Sequence, residues 1–395
     1  MLKKIYTWII VLFVPLTIYK INIMTFTLAD ALLICVSPIY IINMLMVKRK
    51  ININKKLFII SMLIVFHLVV LIPLSRTGFQ SDTLLRTFRY ISYLLFIAIF
   101  AREYFDFQLG LKLLKFISFF SSIFLIIQFL LLNYGNYYLS GFIPGLPLST
   151  ESMNEMGRQY ALGFVKRPTS IFYEPAHFSS YVLLYFGITL FGDNKKEKVM
   201  LILIGLALIL SGSSTGILIA IGLVLLWAGK LLRSLNNTKK VINFFIIILF
   251  FGLCFLIFTK TQIFNNFMDR TFQSKTATTG RFGNYVDVFR NIDLNLVEKV
   301  IGHGMVRYEE YIPSIPRVYY YFGITGLILF SFYSIQYVYI KKGYKRIALV
   351  LLLVSMLGTE IAFGSFMVMY LSFIIEIRKT DLRTESDLSI SSYKH

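Results

Sequence analysis

Between Arg167 and Tyr181 the chain reads RPTSIFYEPAHFSSY, bringing a guanidinium, a carboxylate and an imidazole together in one short stretch. Arginine grips phosphate with a planar fork of donors, and a carboxylate or imidazole in the right setting moves a proton. Glu174 is flanked by Ile171, Phe172 and Pro175, an apolar setting that raises a carboxyl pKa and suits it to exchange a proton with a hydroxyl. Near the first turn of a helix the same carboxylate also suits the positive end of the helix dipole, so a structural and a chemical reading both stand. His177 lies three residues on and shares that face, either as a catalyst or as a hydrogen-bonded packing residue.

Other residues carry the same kind of chemistry. Arg86 and Arg89, in DTLLRTFR, are spaced to share one helix face, as interfacial anchors or as a paired guanidinium site for phosphate. Asp30 and Glu360 fall within or at the ends of apolar runs, where an ionisable group is costly and suspect by default. His303 sits between Gly302 and Gly304, in a loop whose backbone can approach a ligand closely. Arg281 ends the turn TTGR, ahead of an amphipathic stretch; Arg158 and Lys166 add positive charge ahead of Arg167, and Arg317 adds it after the GHG segment. No Walker A, GxGxxG, HExxH, GxSxG or CxxC pattern occurs, which argues against an ATP-driven pump, a dinucleotide enzyme and the usual zinc or serine hydrolases. Cys35 and Cys254 are isolated in apolar segments, and no carboxylate cluster suggests a divalent cation, so neither a metal nor another cofactor is expected.

The elements that position these residues are membrane helices. Of 395 residues 57% are hydrophobic, and the mean hydropathy of +0.71 is that of a polytopic membrane protein. Apolar runs of spanning length fall at about 5–24, 26–46, 57–74, 84–101, 113–133, 170–191, 241–259 and 317–340. Two longer runs, about 199–229 and 347–376, are interrupted by SGSSTG and by GTEIAFG. Lys and Arg outnumber Asp and Glu, 40 to 20, and the short loops 48–56, 102–112, 193–198, 230–240 and 341–346 are mostly basic. The positive-inside rule places all five in the cytoplasm, which accounts for the excess charge without a nucleic-acid partner. Both long runs must then turn back on themselves, giving an all-α bundle of about 10 to 12 transmembrane helices with both termini cytoplasmic. Residues 1–380 form one membrane domain, 381–395 a polar cytoplasmic tail, and the two long loops at about 134–169 and 260–316 face outward.

The segments RPTSIFYEP at 167–175, LSGSSTG at 210–216, TGR at 279–281, and GHG at 302–304 ahead of YFGITGL at 321–327 follow one another in an order. That order resembles the Wzy-type O-antigen polymerase and O-antigen ligase superfamily. The resemblance covers most of the chain. It implies a GT-C-like, metal-independent glycosyltransferase of the cytoplasmic membrane. Such an enzyme moves glycan repeat units from polyprenyl pyrophosphate onto another lipid-linked glycan at the outer face, building O-antigen or capsule alongside a flippase and a chain-length regulator. The family's functional arginines match Arg167 and Arg281. Arg86 and Arg89 join them as pyrophosphate ligands, with Glu174 or His303 as proton acceptor, and Lys166, Arg158, His177, Glu360 and Arg317 in accessory roles. Two departures matter. The family's Ser-Arg-Thr-Gly pattern is Ser213-Ser214-Thr215-Gly216 here, so Lys166 or Arg158 must supply the missing charge. Ligases carry a His-Asn pair where this chain has Ile312-Pro313-Ser314, which favours polymerase over ligase. A flippase of the same lipid-linked glycans is the rival class.

Overall fold

The structure is a computed structural model. It describes residues 1–21, 26–48, 53–75, 78–135, 137, 139–148, 167–192, 197–234, 294–306, 312–338 and 343–375, with isolated positions at 242, 245, 264, 265 and 289. The apolar run 241–259, Arg158, Lys166, Arg281 and the tail 381–395 therefore lie outside the described residues, apart from Ile242 and Phe245 of that run. Among the described residues the chain is helical, with no strand beyond isolated bridges. The helices are α1 (Leu2–Leu16), α2 (Leu28–Ile42), α3 (Lys55–Leu74), α4 (Ser81–Phe96), α5 (Phe107–Tyr134) and α6 (Pro175–Phe191). There follow α7 (Lys198–Leu210), α8 (Ser214–Ser234), α9 (Leu296–Ile301), α10 (Ser314–Val338), α11 (Gly343–Gly358) and α12 (Ser365–Ile374).

Five segments are long and apolar enough to cross a membrane: Leu28–Met46, Lys55–Leu74, Ser81–Tyr104, Phe107–Tyr134 and Ser314–Ile335. This is a membrane-embedded helical protein. Local chemistry sets where the helices begin. Thr27 and Asp30 form a capping box at α2, and the Asn54 side chain accepts from Leu57 N at α3. The expected loop over 102–112 is shorter than its charges suggest. After α4 the chain continues through a π turn at Ile97–Ala101 into Arg102–Tyr104, and only Phe105 and Asp106 separate this from α5. Asp106 starts α5 by accepting from Leu109 N at 3.1 Å, and its own N–H donates to Thr7 Oγ1 at 2.9 Å. Lys112 and Lys115 consequently sit on a helix, where Lys115 Nζ reaches Glu197 Oε1 at 2.6 Å.

The two long apolar runs do reverse. Glu197, at the start of α7, bonds the Tyr185 hydroxyl near the end of α6, and Lys230 Nζ, near the end of α8, donates to Phe191 O at that same end. The chain thus turns back at Ser211–Ser213, where Gly212 adopts φ +63°. In α11 and α12 the pattern repeats. Phe107 contacts Tyr344, early in α11, at 4.3 Å and meets Phe373, late in α12, edge-on at 5.8 Å, so the ends of this pair meet and the reversal lies at Thr359–Gly364. At 13 residues α7 is about 20 Å long, short of a hydrocarbon core of about 30 Å.

Lipid tails are as apolar as leucine, so helices in a membrane associate through close packing and hydrogen bonds. Both occur here. Tyrosine hydroxyls donate to backbone carbonyls of neighbouring helices, Tyr40 to Leu2, Tyr181 to Val11 and Tyr370 to Ser180, at 3.0, 2.9 and 2.6 Å. Each such bond contributes about 0.6 kcal/mol on average. Gly216 lets α8 lie against α6 so closely that a Cβ added there would stand 2.4 Å from Ser179 Cβ.

Candidate active site at one end of the bundle

The ends of α1, α3, α5, α7, α9 and α11 and the starts of α2, α4, α6, α8, α10 and α12 belong to one end of the bundle, and the quoted motifs lie there. The turn ahead of α6 is tightly built. Ser170 is the one non-glycine residue at positive φ (+58°) among the described residues, a conformation that costs about 1–2 kcal/mol. Three bonds to α5 hold it. Ser170 N–H donates to Gln128 Oε1 at 2.7 Å, Ser170 Oγ donates to Ser121 O at 2.7 Å, and Gln128 Nε2 donates to Leu139 O at 2.7 Å and, at 3.4 Å, to Ser170 O. Gly141 is needed opposite, because a Cβ there would fall 2.0 Å from Ser170 O.

This turn aims Arg167 and Glu174. Arg167 Nη1 donates to Gly212 O at 3.1 Å, placing a cation at the carboxyl end of α7, where its carbonyls lack helical partners. Two separate sequence motifs thereby meet, and Ser179 Oγ lies 3.2 Å from Ser211 Oγ beside them. Glu174 is the N-cap residue of α6, in extended conformation, with Pro175 filling the first helical position. Its half-buried carboxylate caps no backbone N–H and makes no hydrogen bond or ion pair with the described residues. His177 lies between the rings of Tyr173 and Phe366, with centroids at 5.6 and 5.4 Å.

A second cluster surrounds the first half of α10. That helix breaks at Gly323 (φ +62°, ψ −160°), which frees carbonyls that a continuous helix would use. The segment Gly302–Gly304 takes two of them. His303 N–H donates to Tyr320 O at 2.8 Å and Gly304 N–H to Tyr321 O at 3.0 Å. The approach requires glycine on both sides, since a Cβ on Gly302 would meet Tyr321 O at 2.2 Å and one on Gly323 would meet Gly302 N at 2.7 Å. His67 of α3 completes the joint, its Nε2 lying 2.9 Å from Ile301 O and 3.2 Å from Phe322 O. Two carbonyl partners fix that nitrogen as the protonated one.

Charged groups line this cluster. Arg317 makes a two-pronged pair with Glu360 at 2.5 and 2.6 Å, and its guanidinium lies 6.0 Å over the Tyr321 ring. Arg86 bonds the Tyr321 side chain as well as Asp82, the latter at 3.0 Å. Arg89 turns elsewhere. Its Nε stands 3.1 Å from Asp30 Oδ2, and the buried Asp30 also accepts from the Tyr93 hydroxyl at 2.6 Å and from Thr27. His303 Nδ1 meets Glu298 Oε1 at 2.8 Å, and its ring lies 5.3 Å from Tyr320. The two clusters flank the α11–α12 reversal, where Phe363 contacts Tyr321 at 5.1 Å and Phe366 contacts His177.

The structure thus brings Arg86, Arg317 and Glu360 together around Tyr321, sets Arg167 and Glu174 on one turn, and joins Arg89 to Asp30. Among the described residues there is no group of His, Cys, Asp or Glu that could hold a metal ion. Sequence reasoning passed over His67, Gln128, Glu298 and Tyr321. Gln128 is a lone amide in an apolar run, and Asn295-Leu-Val-Glu298 reads as a capping box, so those two left a signal. Comparison with known protein families, characterised proteins and solved structures yields no match to this chain.

Proposed function

We propose that the chain is a polysaccharide polymerase of the kind its motif order resembles. It would transfer a glycan from polyprenyl pyrophosphate onto a second lipid-linked glycan at the outer face of the cytoplasmic membrane. One observation carries the reading: charge is confined to helix ends. Among the described helices the deepest Lys, Arg, Asp or Glu residues are Arg89 and Lys115, and the motif end gathers Arg86, Arg167, Arg317, Glu174, Glu360 and His303. A flippase needs polar groups along a path through the membrane interior. A transferase acting at headgroup depth needs them at one end.

In this reading Arg86, Arg167 and Arg281 hold the diphosphate and stabilise the charge that grows on it as the sugar–phosphate bond breaks. Arg317, braced by Glu360, shapes the wall beside them. Arg89 stays with Asp30 and keeps α4 against α2. Arg86 and Arg317 each face a carboxylate, so the surplus positive charge comes from Arg281, Arg158 and Lys166. No nucleotide is needed, because the diphosphate leaving group carries the energy. The acceptor hydroxyl must lose a proton, and Glu174 and His303 are the two groups placed to take it.

The test uses purified protein reconstituted with the polyprenyl-diphosphate-linked glycan pool extracted from the source cell's membranes. Arg167→Ala and Arg281→Ala should each lower chain extension by about 10²-fold or more at unchanged protein level. Full extension by both variants would end the diphosphate assignment, and a wild-type protein that translocates the lipid without extending it would replace the transferase with a flippase.

A further inference from the structure

Resting on that reading, the geometry points to His303 as the group that takes the acceptor's proton, with Glu298 as the residue that positions it. Two side chains compete for the role, and their surroundings differ. Glu174 has nothing among the described residues to fix its carboxylate. His303 is fixed from three sides. Its N–H is tied to Tyr320 O, its carbonyl accepts from Ser75 Oγ at 2.8 Å, and its ring packs at a tilt against the Tyr320 ring.

The decisive feature is the partner of Nδ1. Glu298 Oε1 stands 2.8 Å from it, while Glu298 Oε2 accepts from Asn295 N–H at 3.0 Å. The carboxylate is therefore itself held at both oxygens, in a capping box that Asn295 closes by accepting from Glu298 N–H at 2.8 Å. A carboxylate can only accept, so Nδ1 carries the hydrogen and the lone pair of neutral imidazole lies on Nε2. That nitrogen has no hydrogen-bond partner among the described residues, and the side chain keeps 18% of its surface exposed. Nucleophile, base and orienting acid in a row is the general arrangement for activating a hydroxyl. Here the hydroxyl belongs to the incoming glycan.

The step balances simply. The acceptor oxygen forms a bond to the anomeric carbon as the carbon–oxygen bond to the diphosphate breaks. The bonding pair leaves with polyprenyl diphosphate, which Arg86 and Arg167 neutralise, and the hydroxyl proton passes to His303 Nε2. Glu298 stabilises the imidazolium through Nδ1. His303 and Arg86 meet the same stretch of α10, since Tyr320 contacts the imidazole ring and Tyr321, the next residue, binds Arg86 and lies under Arg317.

The experiment compares His303→Gln, Glu298→Gln and wild type in the same reconstituted assay, with turnover, acceptor KM and donor retention measured on intact protein. His303→Gln should lose about 10²-fold or more in turnover while retaining donor. Glu298→Gln should lose less in turnover, with donor retention and acceptor KM unchanged, because the imidazole stays in place but loses the acceptor that fixes its tautomer. A structural role for the pair would lower the amount of folded protein and leave turnover per folded molecule in place. A His303→Gln or a Glu298→Gln protein with wild-type turnover overturns the dyad and leaves the transferase standing. Absence of any wild-type turnover removes both.

Discussion

Arg86 and Arg89 stand almost a turn apart on α4, and their spacing gave no reason to separate them. The structure gives them different work, because Asp30 arrives from α2 and takes Arg89, while Tyr321 arrives from α10 and takes Arg86. Such long-range partners leave no mark on a local pattern, which is also why Glu298 and His67 went unnoticed beside the conspicuous GHG. Asp30→Ala should therefore act on stability, costing about 3 kcal/mol by stranding a partly solvated Arg89 and losing the α2 cap, with donor affinity of the folded fraction unchanged. Thermal unfolding in detergent alongside donor binding separates the two effects. If His303 is the base, Glu174→Gln should lose no more than about tenfold in turnover, because a group contacting sugar hydroxyls contributes on the scale of one hydrogen bond. A loss at Glu174 equal to that at His303 would return the proton to the carboxylate.

Helices of spanning length were readable as apolar runs, and the reversal at Ser211–Ser213 followed from basic residues on both flanks. The break in α10 was not. Glycine is common inside membrane helices, and nothing in YYFGITG shows that Gly323 has left helical geometry, since the reason is the segment Gly302–Gly304 packed against it. The start of α5 was misplaced for the opposite reason, as Lys112 looks like a loop charge until Asp106 is seen to begin the helix earlier. The glycine joint makes a sharp prediction. Gly302→Ala puts a side chain 2.2 Å from Tyr321 O at a φ of +97° and should cost several-fold in folded yield and nearly all turnover. Gly229→Ala in α8 meets nothing within 4 Å and should stabilise by about 0.5–1 kcal/mol, a control readable in the same thermal unfolding scan.

At the scale of the whole molecule, one polar junction ties three helices together at the end opposite the motifs. Glu197 is desolvated, which alone would raise its pKa, but the Lys115 and Tyr185 hydrogen bonds and the Lys115 charge outweigh burial and hold it below the ordinary carboxylate range. A carboxyl depressed on folding stabilises fully above its unfolded pKa, and that contribution disappears as pH falls through the lower folded value. Wild type should therefore unfold at higher temperature than Glu197→Gln at pH 7, and the gap should narrow below about pH 4. That the chain is a helical membrane protein was legible from hydropathy, whereas the meeting of Arg167 with Gly212 and of His177 with Phe366 depends on two hairpins folding to the same end. Those hairpins have a consequence for biosynthesis. Neither α7 nor α12 is long enough to stop in a bilayer alone, so a chain released just after Leu210 would offer the translocation machinery a segment it cannot retain. Each pair must therefore be laid into the membrane as a unit.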